Sequence, residues 1–76
     1  NIVTIGCTVS LEWVGKERKE SFQIVGTTES DYSKNKISNE SPIGKAVLNK
    51  KVGDIVEVVA PKSTYKVRIT GIKVGE

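Results

Sequence analysis

Apolar and polar residues alternate along the first segment of the chain, residues 3–13. A period of two over this length is typical of a strand that buries one face, and we expect a bend at Gly6. Alternation resumes at Phe22 and Ile24 after a charged turn, so the pattern predicts two antiparallel strands. The apolar, inward-facing members of the first strand are Val3, Ile5, Cys7, Val9, Leu11 and Trp13.

The period of the pattern changes in the middle of the chain. Residues 27–36 are polar and predict a loop, and a short apolar signal begins at Ile37. Further on, Ile43, Ala46 and Val47 lie at positions i, i+3 and i+4. This spacing predicts one short helix with an inward-facing apolar stripe.

Two further strands are predicted after the helix, over residues 55–59 and 65–74, the second with a basic polar face. Together the elements predict one α+β domain over residues 1–76, a curled antiparallel sheet of four to five strands with one short helix packed across it. At this length folding hides only about 60% of the surface of the open chain, so the core is thin.

Composition narrows the possible functions. The chain has 76 residues with a net charge of +3, a single cysteine and no histidine. Histidine is the commonest general base and metal ligand, so we expect no catalytic residue, no metal and no cofactor. Cys7 lies on an inward register and is predicted to be a small core residue in a reducing compartment. No apolar run approaches the ~18 residues of a membrane span and no leader is seen, so we expect a soluble, cytoplasmic protein.

The segment Glu40-Ser41-Pro42 precedes the predicted helix and contains the candidate functional residues. Pro42 has a helical φ and no N–H, which suits the first helical position, and it holds Ser41 extended, as an N-cap requires. The Ser41 hydroxyl is predicted to accept a hydrogen bond from the N–H of Ile43 or Gly44, which stabilises the helix by ~1 kcal/mol. Local structure therefore explains Ser41 and Pro42, but it explains Glu40 only weakly.

The order and spacing of many short motifs resemble the C-terminal domain of the bacterial transcript-cleavage factors of the Gre type, GreA more than GreB. The resemblance covers residues 3–74. Asn35 and Asn49 stand where the family often has glycine, and asparagine is the next best residue for a left-handed φ, so both turns are expected to survive. The shared motifs are Val25-Gly26, Glu29, Asp31, Ile37-Ser38, Ser41-Pro42-Ile43, Lys45-Ala46, Leu48, Lys50-Lys51-Val52-Gly53-Asp54 and Pro61.

This resemblance implies an FKBP-like fold and a partner. In the full-length factors this domain docks on bacterial RNA polymerase beside the secondary channel, against a coiled-coil rim of the largest subunit. A separate N-terminal coiled coil helps to hold the magnesium ion that cleaves backtracked RNA; we expect that coiled coil to be absent here and the docking domain to remain. By resemblance, the partner-binding residues are Glu40, Ser41 and Pro42, with Ile43 and Ser38 as neighbours.

Three alternatives remain open. An FKBP-like sheet also suggests a peptidyl-prolyl isomerase, although we expect the chain's aromatic residues to be too few for such a pocket. Lys66 and Arg68 on the last strand are candidates for nucleic-acid binding, although outward-facing charges are the default on a half-buried sheet. A related factor that inhibits polymerase would differ mainly in the coiled coil, although the segment 34–48 favours GreA. The four aromatic residues are Trp13, Phe22, Tyr32 and Tyr65.

Overall fold

The computed structural model describes residues 2–74, and within them one α-helix and five strands form. Two short 3-10 turns, Thr27–Glu29 and Tyr32–Lys34, interrupt the predicted loop before the third strand. The predicted α+β class with one short helix is confirmed. In chain order the elements are β1 (Thr8–Trp13), β2 (Lys19–Val25), β3 (Lys36–Ser38), α1 (Pro42–Val47), β4 (Ile55–Val59) and β5 (Thr64–Lys73).

All five strands belong to one sheet in the order β3-β2-β1-β5-β4. The helix α1 packs against β4 and also contacts β3, which are the two outermost strands of that order. Neighbouring strands lie ~4.8 Å apart, so a flat sheet would hold these two edges about 19 Å from one another. The sheet must therefore curl strongly for both edges to contact one short helix.

The pairing of β2 with β3 corrects one detail of the prediction, since these strands run parallel and make the sheet mixed. The other three pairings are antiparallel, as expected. Residues 26–35 carry the chain back along β2, and Asn35 completes the reversal with a φ of 58° immediately before β3. The left-handed conformation predicted at Asn35 is confirmed, as is that of Asn49, which has a φ of 67°.

The strand β1 begins later than the alternation predicted. Gly6 has a φ of 100° in a turn that ends just before the strand starts at Thr8. Ile5, which was expected to face inward, is 57% exposed. Val3 is nevertheless fully buried, because its N–H donates to the carbonyl oxygen of Lys50 at 2.8 Å and holds this segment against the end of the helix region.

Alternate residues of the strands meet the apolar face of α1 in one core. The inward-facing helix residues Ile43 and Val47 are buried as predicted, and Ala46 packs against the cluster. Cys7 is also buried, as its register predicted. Within residues 2–74 no helix is long and apolar enough to cross a bilayer. The buried cluster comprises Val3, Val9, Leu11, Trp13, Phe22, Ile24, Ile37, Ile43, Val47, Val56, Val58, Val67 and Ile69.

Candidate partner-docking site

Residues 38–41 form a turn between β3 and α1, and the hydroxyl of Ser41 holds it to the helix. Ser41 is extended, with φ −71° and ψ 161°, and its Oγ accepts a hydrogen bond from the N–H of Gly44 at 3.0 Å. The same hydroxyl donates to the carbonyl oxygen of Ser38 at 2.7 Å. The predicted N-cap is confirmed, and Gly44 rather than Ile43 supplies the donor. We call residues 38–41 together with Pro42 the docking turn.

The polar groups of Ser38 are used inside the docking turn. Its Oγ accepts from the backbone N–H of Glu40 at 2.9 Å and forms a second hydrogen bond with Oγ1 of Thr27 at 3.0 Å. Its carbonyl oxygen accepts from the N–H of Ser41 at 3.0 Å as well as from the Ser41 hydroxyl. Ser38 therefore shapes the turn, and its hydroxyl already has two partners within the chain.

Gly44 allows α1 to approach the docking turn closely. It is buried, and a Cβ at this position would collide with the carbonyl oxygen of Ser38. It would also press on the Ser41 hydroxyl and on the backbone of Asn39. The first turn of the helix and the docking turn therefore form one tightly packed unit.

The side chains that the docking turn presents to solvent are those of Glu40 and Pro42, both exposed. Within residues 2–74 no ion pair or hydrogen bond engages the Glu40 carboxylate. Both residues border a shallow groove of 360 Å³ between α1 and β4, in which two carboxylates accompany a single amine. The groove is lined by Glu40, Pro42, Lys45, Ala46, Glu57 and Val59.

Pro42 also borders a second concavity, an apolar cleft of 320 Å³ on the inner side of the sheet. Ile43, proposed from sequence as a neighbouring contact, is only 8% exposed and belongs to the core that forms one wall of this cleft. The surface that Ile43 offers a partner is therefore small. The cleft is lined by Ser30, Tyr32, Lys36, Ile37, Ser38, Ser41, Pro42, Ile43, Ala60 and Tyr65.

The four aromatic residues lie closer together than their sequence positions suggested. Trp13 stacks on Tyr65 with ring centroids 6.0 Å apart, and Phe22 stacks on Tyr32 at 6.2 Å. Tyr32 and Tyr65 line the apolar cleft, and partial burial raises the pKa of Tyr65 above its ordinary value. Neither Tyr32 nor Tyr65 was predicted from the sequence as a site residue. The alternation along the last strand placed Tyr65 on the inward face. Nothing in the polar segment around Tyr32 indicated that this residue would line the same cleft.

Lys66 and Arg68 are exposed on the outward face of β5, and neither lines the two concavities that border the docking turn. Lys66 pairs across the strands with Glu57, and an Arg68 Nη1 lies 3.8 Å from a carboxylate oxygen of Glu12. Tyr65 points to the inner face, and among the described residues no stacking or cation–π contact joins an aromatic ring to Lys66 or Arg68. Acidic neighbours thus reduce the positive potential that a nucleic acid would require. Within residues 2–74 no group of three or more metal-binding side chains forms.

Comparison with known proteins places this geometry in context. The family model described as "Transcription elongation factor, GreA/GreB, C-term" matches residues 1–74. The transcription elongation factor GreA of Thermoanaerobacter pseudethanolicus is 48% identical over 71 residues, which are 93% of this chain and 45% of that relative.

Solved structures show the same fold. The crystal structure of Thermus aquaticus Gfh1 superposes with a TM-score of 0.83 at 32% identity, over 95% of this chain and 48% of that one. The prokaryotic transcription elongation factor GreA/GreB from Nitrosomonas europaea gives a TM-score of 0.77 at 29% identity, over 95% and 60% respectively. The chain therefore spans about half the length of the proteins that it matches.

Proposed function

The chain belongs to the GreA/GreB family of transcription elongation factors, matching its C-terminal domain, and from this premise we propose that it docks such a factor on bacterial RNA polymerase in the cytoplasm. The docking turn contacts the coiled-coil rim of the largest subunit beside the secondary channel. The domain itself makes and breaks no bonds. A separate coiled coil of the same factor would stimulate cleavage of backtracked RNA.

The single observation that carries this proposal is the exposed Glu40 carboxylate, which has no partner among residues 2–74 and stands beside an exposed proline. Local structure accounts for Ser41, whose hydroxyl caps the helix, and for Ser38, whose polar groups hold the turn. It does not account for Glu40. An unpaired carboxylate on a rigid turn is suited to a basic group of a partner.

Two further features of the surface support a protein partner. Glu40, Glu57 and Lys45 line the shallow groove, and since Glu57 lies opposite Lys66 across the strands, Glu40 is the carboxylate of this groove that is suited to a basic group of a partner. Pro42 separates that groove from the apolar cleft and has a fixed φ, so it offers an apolar contact that loses little entropy on binding. A partner that covers Pro42 would therefore reach both an acidic and an apolar surface.

The proposal is tested with two single variants, Glu40→Lys and Pro42→Ala, and with the double variant. We expect the double variant to bind core RNA polymerase about tenfold more weakly, a change of about 1.4 kcal/mol. The effect of Glu40→Lys should shrink as salt is raised, because screening acts on exposed charges, whereas the effect of Pro42→Ala should persist. Affinity is measured by biolayer interferometry at two salt concentrations, with circular dichroism to confirm folding.

Glu17→Lys is the matched control, because it changes the net charge by the same amount. Glu17 is exposed in the turn that precedes β2 and lines neither of the two concavities that border the docking turn. This control should bind as the parent chain does. Parental affinity of the folded double variant would contradict the assignment of the docking turn.

The comparisons favour neither of the two alternative classes, isomerase or nucleic-acid binder. The matched family model and the Thermoanaerobacter pseudethanolicus relative are both described as transcription elongation factors. The positions of Lys66 and Arg68, each beside an acidic residue, agree with an ordinary solvated face.

A further inference from the structure

We propose that Thr27 is a positioning residue for the docking turn, although it precedes β3 in the chain and lies outside the segment proposed to contact the partner. This inference rests on the proposed docking function and extends it to a residue that no sequence motif singled out. Thr27 opens the 3-10 turn Thr27–Glu29, directly after β2. Its hydroxyl lies 3.0 Å from Oγ of Ser38, the first residue of the docking turn.

The backbone N–H groups of residues 39–41, three of the four in the docking turn, are held in different ways. The N–H of Asn39 donates to the carbonyl oxygen of Val25 at 2.9 Å, and that of Ser41 donates to the carbonyl oxygen of Ser38 at 3.0 Å. The N–H of Glu40 instead donates to a side-chain atom, Oγ of Ser38, at 2.9 Å. The hydrogen bond of the Glu40 N–H therefore depends on the rotamer of Ser38, whereas those of its two neighbours do not.

Thr27 fixes that rotamer. The Ser38 hydroxyl can rotate about its Cα–Cβ bond, and the bond from Thr27 Oγ1 selects the position that also receives the Glu40 N–H. Both hydroxyls lie at the surface, so without the Thr27 hydroxyl water would compete for the hydroxyl of Ser38. The side chain of Glu40 would then sample more orientations. A contact residue that is already ordered before binding loses less entropy when the complex forms. Thr27 thus acts on the partner through Ser38 and Glu40, without touching it.

The test compares Thr27→Val, which keeps the branched shape and removes the hydroxyl, with Thr27→Ser, which keeps the hydroxyl. Affinity for core RNA polymerase is measured on the 76-residue chain, together with amide hydrogen exchange by NMR. For Thr27→Val we expect binding weaker by about threefold to tenfold, of the order of one lost hydrogen bond. Exchange at the Glu40 amide should accelerate, while the Gly44 amide, held by Ser41, should not change.

The conservative variant and the thermal midpoint separate positioning from a general effect on folding. Thr27→Ser should restore both affinity and Glu40 exchange. The thermal midpoint should stay the same in Thr27→Ser and fall only slightly in the hydroxyl-free variants, because Thr27 is exposed and a single surface hydrogen bond contributes little to folding. Thr27→Ala provides a second hydroxyl-free variant in case valine disturbs the 3-10 turn.

Several outcomes would overturn the inference, and they can be told apart. If Thr27→Val binds polymerase as tightly as the parent chain while the Glu40→Lys/Pro42→Ala variant binds more weakly, the positioning role of Thr27 is rejected. The assignment of the docking turn as the contact surface would still stand. Weakened binding with unchanged Glu40 exchange would mean that Thr27 contacts the partner directly. Failure of Thr27→Ser to restore binding would mean that the hydroxyl is not responsible. If neither Thr27→Val nor the double variant weakens binding, the proposed docking surface itself is wrong.

Discussion

Gly44 occupies the third position of α1, where helix propensity and local packing favour different residues. In a helix interior, alanine is preferred to glycine by roughly 0.5–1 kcal/mol, because glycine loses more backbone entropy on folding. At this position, however, an added Cβ would meet the carbonyl oxygen of Ser38. That oxygen is backbone and receives two hydrogen bonds, so it cannot move aside cheaply.

We therefore expect Gly44→Ala to destabilise the chain, against the direction of helix propensity. Overpacking of this kind costs about 1–3 kcal/mol against a propensity gain of roughly 0.5–1 kcal/mol, which leaves a net loss of up to about 2.5 kcal/mol. Urea denaturation followed by circular dichroism measures the change. Gly26→Ala is the matched control, since Gly26 has a φ of −69° and open space where a Cβ would lie. This control should leave the free energy of unfolding unchanged or raise it slightly. If Gly44→Ala is more stable than the parent chain, the backbone of the docking turn can move to accommodate the added Cβ.

At the residue scale, the predictions that succeeded depended on neighbours along the chain. The cap at Ser41 follows from the proline after it, whereas the left-handed φ of Asn35 was predicted from the resemblance, since asparagine stands there where the family often has glycine. The failure at Ile5 has a related cause. The apolar alternation continues unbroken through the turn at Gly6, so the period of the pattern could not show where the strand begins.

The helix α1 is an element that depends on its surroundings. Its span, Pro42–Val47, is far below the ~12–15 residues at which an isolated helix becomes marginally stable. Its order therefore comes from the core contacts of Ile43 and Val47 and from the cap at Ser41. Since the docking turn is continuous with the first turn of this helix, the cap links the stability of the element to the proposed function.

We expect Ser41→Ala to lower the free energy of unfolding by about 0.5–2 kcal/mol, because the acceptor for the Gly44 N–H is lost. The bond to the Ser38 carbonyl oxygen disappears with it. Ser41→Thr keeps the hydroxyl and should retain most of the stability. Ser63→Ala, at an exposed serine of the β4–β5 connection, should be neutral. Chemical denaturation measures all three variants, and equal stability of Ser41→Ala and Ser63→Ala would contradict the role of the cap.

At the element scale, the strands with long alternating patterns were predictable, and β3 was not assigned to the sheet. It has three residues, and its parallel pairing with β2 depends on the path of residues 26–35. Nothing in a stretch of three residues specifies its partner or its direction. The docking turn nevertheless owes its position to this pairing, because Val25 and Ser38 lie side by side where β2 and β3 end.

At the scale of the whole molecule, the curl of the sheet creates surfaces that no local pattern encodes. Tyr32 comes from a polar loop and Tyr65 from β5, yet both line the apolar cleft beside Pro42. Their position in one cleft depends on the full strand order, which brings the two sheet edges to the helix. The resemblance in sequence identified the docking turn because its residues are contiguous. The cleft is assembled from four separate segments and required the structure.

The proposed division of labour in the factor makes a prediction about the chain acting alone. If the chain supplies docking and a separate coiled coil stimulates cleavage, the chain should occupy polymerase without promoting cleavage. Added to a reaction with an intact GreA-type factor, it should therefore inhibit cleavage of backtracked RNA competitively. The concentration of the chain that gives half-maximal inhibition should rise as the concentration of the intact factor is raised. Gel analysis of labelled transcripts in stalled complexes measures this effect.

The intact factor has the advantage in this competition, because a second contact through its coiled coil raises its avidity. Linked contacts of this kind increase apparent affinity by about 10²–10⁴, so the chain should be needed in at least ~100-fold molar excess. The Glu40→Lys/Pro42→Ala variant, which should bind about tenfold more weakly, should require a further tenfold excess, whereas Glu17→Lys should inhibit as the parent chain does. If the intact factor still stimulates cleavage at a saturating concentration of the chain, docking does not occur through this domain. Cleavage stimulated by the chain itself would mean that the domain takes part in catalysis.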